Sequence, residues 1–355
     1  MSSGRVTIIG AGGVGTAAAA DLTLAGHEVV LYEMPQFSEN IDPIVQCGGI
    51  RLSEGERTDF AKIYKATKDI AEAVRDARII MVATIGWAHK IVAELSVPYL
   101  EDGQTIILFS AELGSLEFKR VIREKRSSLD LKIAETLSAP YASRRDDPSK
   151  AEVVIRSRMR DLGLAAIPAK YTEQVLNEVK EFYPDVFFAA ENVAEVGLSN
   201  INIFAHPAPV LLMSAWIESC GSNFIYASFT PSVLRVVEAM FQERSAILKV
   251  LGLKELYSFE QIKKLITDPG LHKIKGPANM QHRFVTEDCP MGLVALTSFG
   301  DLVGVPTPVC KAIITLISRI IGIDYFREGR NLERLGMSGL SLGQLKRFLD
   351  EGHVF

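Results

Sequence analysis

The sequence predicts an α/β protein in which an N-terminal doubly wound parallel sheet, residues 1–190, is followed by a mostly α-helical C-terminal domain, residues 191–355. Three observations lead there. Short β-branched runs alternate with helix-like segments through the first half. A glycine-rich turn joins the first of these runs to a stretch of small residues. From about residue 190 onward the apolar positions recur at helical spacing behind proline-led starts.

Taken in order, RVTIIG, HEVVLYE, RIIMVAT, TIILFS and LKIAET are strand candidates, and the stretches 13–25 and 86–96 are helical. Strands that alternate with helices in this way pair in parallel, with both faces of the sheet covered. In the second half Thr230-Pro231 supplies an N-cap and a first helical residue ahead of Val233, Val236, Val237, Met240, Phe241, Ile247 and Leu248. Thr307-Pro308 repeats that entry before Ile313, Ile314 and Ile317, and Ser341 with Gln344 forms a capping box before a last helix ending near Gly352. On the long helix Glu238 and Glu243 are expected to be solvated, while Met213 and Trp216 are expected to pack. No obvious flexible linker separates the halves, so the two domains are expected to close around a cleft.

Composition narrows the partners. The 355 residues are 48% hydrophobic and 23% charged, and 39 basic against 43 acidic side chains leave a net charge of −4 without long like-charge runs. No basic stripe asks for nucleic acid or an anionic membrane surface. Cys47, Cys220, Cys289 and Cys310 are scattered, with neither a C-x-x-C pair nor histidines at ligand spacing, so neither a metal site nor a disulfide framework is expected. The Ile-rich VCKAIITLISRIIG carries Lys311 and Arg319 and falls short of the roughly 18 uncharged residues of a membrane span. The start of the chain lacks a signal-peptide pattern, and the expected location is the cytoplasm.

The first chemical signal is VTIIGAGGVGTAAAADLTLAGHEVVLYE, in which Gly10-x-Gly12-x-x-Gly15 follows a strand, opens a small-residue helix and precedes a second strand ending in Glu33. That order is the Rossmann dinucleotide fingerprint. Gly10 permits the tight turn, Gly12 lets the backbone approach a pyrophosphate, Gly15 lets the helix sit close on the sheet, and the helix start offers N–H groups to the phosphates. Glu33 is placed to accept from the adenosine ribose hydroxyls and to repel a 2′-phosphate, and MPQF after it brings no cation. NAD(H) is therefore preferred, with NADP(H) left open. The expected cofactor-binding set is Gly10, Ala11, Gly12, Gly13, Val14, Gly15, Glu33 and Thr84, the last at the end of RIIMVAT.

The second signal is SNINIFAHPAPVLLMSAWIE. A residue before proline avoids the α region, so His206 before Pro207 marks a helix entrance or kink, with Leu211, Leu212, Ala215 and Trp216 resuming helical spacing. A satisfied core histidine is the plainer alternative. Downstream, QHRFVTEDCPMGLV gathers Arg283, Glu287 and Asp288 in what reads as a loop, where the charges could simply be solvated. An Asp bonded to imidazole fixes the ring tautomer, and an Arg offers a two-pronged fork to a carboxylate.

With these motifs in view the chain resembles the opine dehydrogenase family, the octopine and nopaline dehydrogenase group. The resemblance runs over nearly the whole chain: the glycine fingerprint with Glu33, ETLSAPYASR at 135–144, NINIFAHP at 200–207, FTPSVLRVVEAMFQER at 229–244, RFVTEDCPMGLV at 283–294, GVPTP at 304–308 and the LGMSGLS tail. It implies an NAD(P)H-dependent enzyme that joins an amino acid to a 2-oxo acid such as pyruvate by reductive amination. It further implies that His206 and Asp288 are a proton-transfer dyad, that Arg283 holds a substrate carboxylate, and that Asn202, Tyr141 and Arg144 line the same cleft. Many relatives carry a Pro-Gly-Asn loop after the fourth strand, where this chain has SAELGS at 110–115. The expected partners are therefore two small molecules, an amino acid and a 2-oxo acid, and a homodimer is left open. Two rivals stand beside this expectation: a single-substrate keto-acid reductase of the 2-dehydropantoate type, and a non-catalytic NADH-sensing protein.

Overall fold

The computed structural model describes residues 4–220, 224–273 and 275–353. Its strands are β1 (Arg5–Ile9), β2 (Val29–Tyr32), β3 (Ile50–Glu54), β4 (Arg57–Ala61), β5 (Lys65–Thr67), β6 (Ala77–Val82), β7 (Thr105–Phe109), β8 (Lys132–Thr136), β9 (Tyr141–Arg144), β10 (Glu152–Arg158), β11 (Leu162–Ile167) and β12 (Phe187–Ala189). The described residues divide into two compact units, one reaching Val193 and taking in Asp350–Gly352, the other built from Ala194–Leu349 and His353.

The first unit is organised by an eight-stranded sheet in the order β12-β11-β8-β7-β6-β1-β2-β5. From β8 to β5 every pairing is parallel. At the far end β11 runs antiparallel to β8 and carries β12 parallel beside it, so the sheet is mixed. All five strands expected from the sequence are present. The chain leaves β1 for β2 on one side and returns to its other side with β6, which creates a topological switch point outside the carboxyl ends of β1 and β6. The helix Gly13–Leu24 buries Ala17, Ala18, Ala19 and Ala20 completely, and side chains this small let it lie close on the sheet.

A second sheet, in the order β4-β3-β10-β9, was not expected. Its strands are short and half exposed, as in RTDFA of β4, so hydrophobic periodicity is weak there. It is tied to the glycine helix through Arg158, whose guanidinium donates to Asp21 (2.8 and 2.7 Å) and to Glu54 (2.9 Å).

The second unit is helical. Its longest helix, Pro231–Leu251, starts where the sequence places it, with Thr230 Oγ1 accepting from the Val233 N–H (3.5 Å), and stops at Gly252 with φ +80°. It packs against the helices Val294–Val303 and Pro308–Ile321. Ser341 and Gln344 form the expected capping box on Leu342–Glu351 (2.9 and 3.3 Å).

Several local expectations are corrected. Thr307 and Pro308 do take the N-cap and first positions of the helix Pro308–Ile321, but the Thr307 side chain makes no capping hydrogen bond. Glu243, expected to be solvated, is buried, and its carboxylate accepts from the Val309 and Cys310 N–H groups (2.7 and 3.0 Å). An anion at a helix start is stabilised by the orphan N–H groups and the helix dipole, which outweighs its desolvation. Trp216, expected to pack, is 59% exposed. The TED segment is not a loop: a helical turn, Arg283–Thr286, runs into a wide π-type turn, Asp288–Leu293. Among the described residues no single helix is long and apolar enough to cross a membrane.

Candidate active site

The expected site residues gather in two constellations, one in each unit. In the first, the glycine turn sits at the switch point. Gly10 has φ +104°, a conformation open to glycine, and a Cβ there would press on the Ala83 carbonyl at 2.9 Å and on Thr84 Cγ2 at 3.0 Å. A Cβ at Gly15 would run into the Gly10 carbonyl oxygen. Gly12 differs: it is exposed, and nothing lies within 4 Å of the position a Cβ would take. It caps the helix Gly13–Leu24, whose first N–H groups receive no side-chain cap and whose first turn holds no acidic residue. The Thr84 hydroxyl is buried without a hydrogen-bond partner among the described residues, hard against this turn.

Glu33 closes the set at the end of β2. The Ala11 N–H donates to its Oε2 (2.9 Å) and the Met34 N–H to its Oε1 (2.9 Å). Burial pushes the Glu33 carboxyl above the usual carboxylate range, and these two N–H bonds pull against that push. The open approach at Gly12, the uncapped helix start, the orphaned Thr84 hydroxyl and the carboxylate beyond β2 fit a dinucleotide.

Tyr141 and Arg144 also belong to this unit. The Tyr141 hydroxyl donates to Asp21 (2.7 Å) inside the first unit's core, and burial holds its phenol protonated. Arg144 is exposed and pairs with Asp146 (3.4 Å). The backbone here meets the glycine turn, because a Cβ on Gly13 would fall 2.9 Å from the Ser143 carbonyl. In these local contacts APYASR serves the architecture of the first unit.

In the second unit the chain stops one short helix, Asn202–Ala205, at His206 and begins another, Pro207–Leu212, with Pro207 as its first residue. The Asn202 backbone is fixed by Asn200, whose Oδ1 accepts its N–H (2.9 Å). The ring of His206 is buried and its Nδ1 lies 2.7 Å from Asp288 Oδ2. Asp288 opens the π-type turn, and such widened turns redirect a side chain that a regular helix would point elsewhere. Arg283 is exposed, with a nitrogen 3.7 Å from Glu287.

Three supports of this pair were not foreseen. Phe284 stacks on the His206 ring (centroids 3.7 Å apart, planes 17° apart), and His282 meets Phe284 edge-on at 4.4 Å. Tyr226, half buried, is pushed up by desolvation and by the Asp288 charge, while Arg283 opposes the shift, so its phenol faces the same charges as the dyad. Phe204, two residues before His206, packs on Phe241 (4.3 Å), and the buried Arg244 guanidinium lies over Phe241 (4.5 Å). Burial pushes Arg244 down to about 10, against the pull of Glu255. The only sequence trace of these supports is an aromatic two positions before His206 and another beside Arg283.

With two protonatable groups in contact and Arg283 nearby in sequence, the second constellation can exchange a proton at its remaining ring nitrogen, Nε2. Residues 189–321 match the family model described as NAD/NADP octopine/nopaline dehydrogenase, alpha-helical domain, and residues 6–117 match the one described as ketopantoate reductase PanE/ApbA. The chain is 33% identical over 361 residues to an opine dehydrogenase of Arthrobacter sp. (strain 1C), covering 98% of this chain and 99% of that one. It is 27% identical to the protein ocs of Agrobacterium tumefaciens (strain Ach5), covering 98% and 99%. Among solved structures it is similar to an octopine dehydrogenase with NADH and L-arginine (TM-score 0.76, 16% identity, 98% of each chain). It is similar as well to an NADP+-bound yersinopine dehydrogenase (TM-score 0.72, 16% identity, 98% of each chain). At such identities the two structures speak for the fold.

Proposed function

We propose that this chain, which belongs to the opine dehydrogenase family, condenses the amine of an amino acid with a 2-oxo acid such as pyruvate and reduces the product to an N-(carboxyalkyl)amino acid. NAD(H) is the preferred cofactor and NADP(H) is tolerated; Gly10, Ala11, Gly12, Gly13, Val14 and Gly15 hold its pyrophosphate, Glu33 its adenosine ribose, and Thr84 the face beside β6. When bound, it supplies the hydride that reduces the carbon–nitrogen double bond.

The support that carries this proposal is the buried His206–Asp288 pair. Asp288 accepts from Nδ1–H, and the protonated ring carries its second N–H, at Nε2, toward substrate. As the amine attacks the oxo carbon, Nε2–H donates to the carbonyl oxygen and that oxygen leaves as water, its second proton coming from the amine nitrogen. The nitrogen keeps its other proton, so the condensed product is an iminium ready for hydride, and His206 regains its proton from solvent, the one proton that the overall reaction consumes. Phe284 keeps the imidazole plane fixed through these transfers. Arg283 orients a substrate carboxylate and Asn202 lies at the same helix entrance; bound order of this kind turns an encounter into a positioned step. Tyr141 and Arg144 act at one remove, through the strand that backs the glycine turn. The enzyme works on small molecules in the cytoplasm.

A second reading, a keto-acid reductase, is favoured by the match of residues 6–117 to ketopantoate reductase. NADH oxidation by the purified chain, with oxo acids alone and then with a panel of amino acids, separates the two. Turnover that requires both substrates is the expected result. Turnover with an oxo acid alone moves the chain to the reductase class, and NADH binding without oxidation across the panel moves it to a sensor.

A further inference from the structure

Arg145 follows β9 at the start of a turn that runs on to Lys150, and no motif pointed to it. Its Nη1 donates to the Ala11 carbonyl (2.9 Å) and to the Asn40 carbonyl (2.6 Å). Its Nη2 donates to Pro148 and Lys150 of its own turn (2.8 and 2.7 Å). Glu33 grips the same two residues from the other side: its Oε2 accepts from the Ala11 N–H at 2.9 Å and lies 3.5 Å from Asn40 Nδ2. The buried Ala11 is thereby held at both ends, its N–H by a carboxylate and its oxygen by a guanidinium. Because Ala11 precedes Gly12, fixing it fixes the direction of the N–H groups that follow.

We propose that Arg145 is a positioning residue for the dinucleotide: it clamps the carbonyl side of the glycine turn and supplies the counter-charge for the Glu33 carboxylate that takes the adenosine ribose. The proposal rests on the dehydrogenase reading above. Glu33 needs such a partner, because burial and the charge of Glu39 both favour its neutral form, and a neutral carboxyl accepts ribose hydroxyls poorly. The glycine turn brings no ionisable group. Tyr32 from β2 and the nearby Asp69 add no positive charge, while Glu33 and Asp147 are the anions that act on Arg145. Arg145 carries the cation at this place, and its four η N–H bonds to carbonyls hold it there.

The test is direct NADH binding to the full chain by fluorescence titration from the acid to the alkaline side of neutrality, across the range in which the raised Glu33 carboxyl loses its proton. Arg145→Met is expected to weaken NADH at every pH, because the fork is lost, and about tenfold more at the acid end than at the alkaline end. Its acid inflection should lie at higher pH than in the wild type, while kcat at saturating NADH stays within about twofold. Arg145→Lys, which keeps the charge and loses the fork, should keep the wild-type inflection with weaker binding at every pH. A loss of equal size at every pH in folded Arg145→Met, or no loss, overturns the proposal. If that variant does not fold, an Arg145→Lys inflection displaced from the wild-type position, or unchanged binding, overturns it, and a wild-type inflection with weaker binding at every pH carries it; Glu33→Gln, with no carboxyl to titrate, should lose the inflection altogether. A wild-type chain that binds NADH at no pH overturns the dehydrogenase reading itself, a result distinct from NADH binding that Arg145 does not tune.

Discussion

The glycine turn and the His206–Asp288 pair are built on opposite plans. The turn is one contiguous segment that works through backbone: φ at Gly10, open space at Gly12, an uncapped helix start. The pair joins side chains 82 positions apart on short irregular helices, and an aromatic ring and a widened turn aim it. A site made of backbone is written locally, because a few residues decide the path of the chain. A site made of side chains depends on how distant segments pack, so its strength lies in supports that look ordinary in sequence.

Breaking the pair should have the largest effect. His206→Asn is expected to lower kcat about 10²- to 10⁴-fold while NADH affinity stays near wild type, with Asp288→Asn in the same direction and smaller, by single-turnover kinetics beside NADH titration. A His206 variant with unchanged kcat would remove the dyad from the mechanism. Phe284→Leu leaves both groups in place and should fall between these variants and the wild type.

Within the turn the two plans separate again. Gly12→Ala adds a methyl where nothing stands within 4 Å, so the fold should hold while NADH binding weakens about 10- to 100-fold. Gly15→Ala drives a methyl into the Gly10 carbonyl and should cost about 2–4 kcal/mol of stability. Thermal unfolding with and without NADH distinguishes them, and equal behaviour of the two variants would dissolve the contrast.

The smallest expected effect tests whether the second unit's supports are tertiary. Glu243→Ala removes an acceptor from the Val309 and Cys310 N–H groups and should destabilise by about 1–3 kcal/mol, roughly 2–4 °C of Tm per kcal/mol. NADH affinity should be untouched. A solvated Glu243 would show no change.

The sequence alone determined the β1-turn-helix-β2 unit, the central parallel strands, the starts of the helices at Thr230 and Ser341, and the helix break at His206. Each follows from local rules: β-branched runs, glycine conformations, caps, and proline's effect on its predecessor. Tertiary structure decided the rest. The second sheet was hidden because its short strands gain stability only by pairing. Glu243 looked like a surface charge until the helix Pro308–Ile321 presented its N–H groups to it. Arg145 reaches Ala11 across 134 positions, which no local pattern records. The physical reason is common to all three: a short strand or a charged side chain becomes stable only when a partner meets it, and the partner comes from packing that sequence periodicity does not encode.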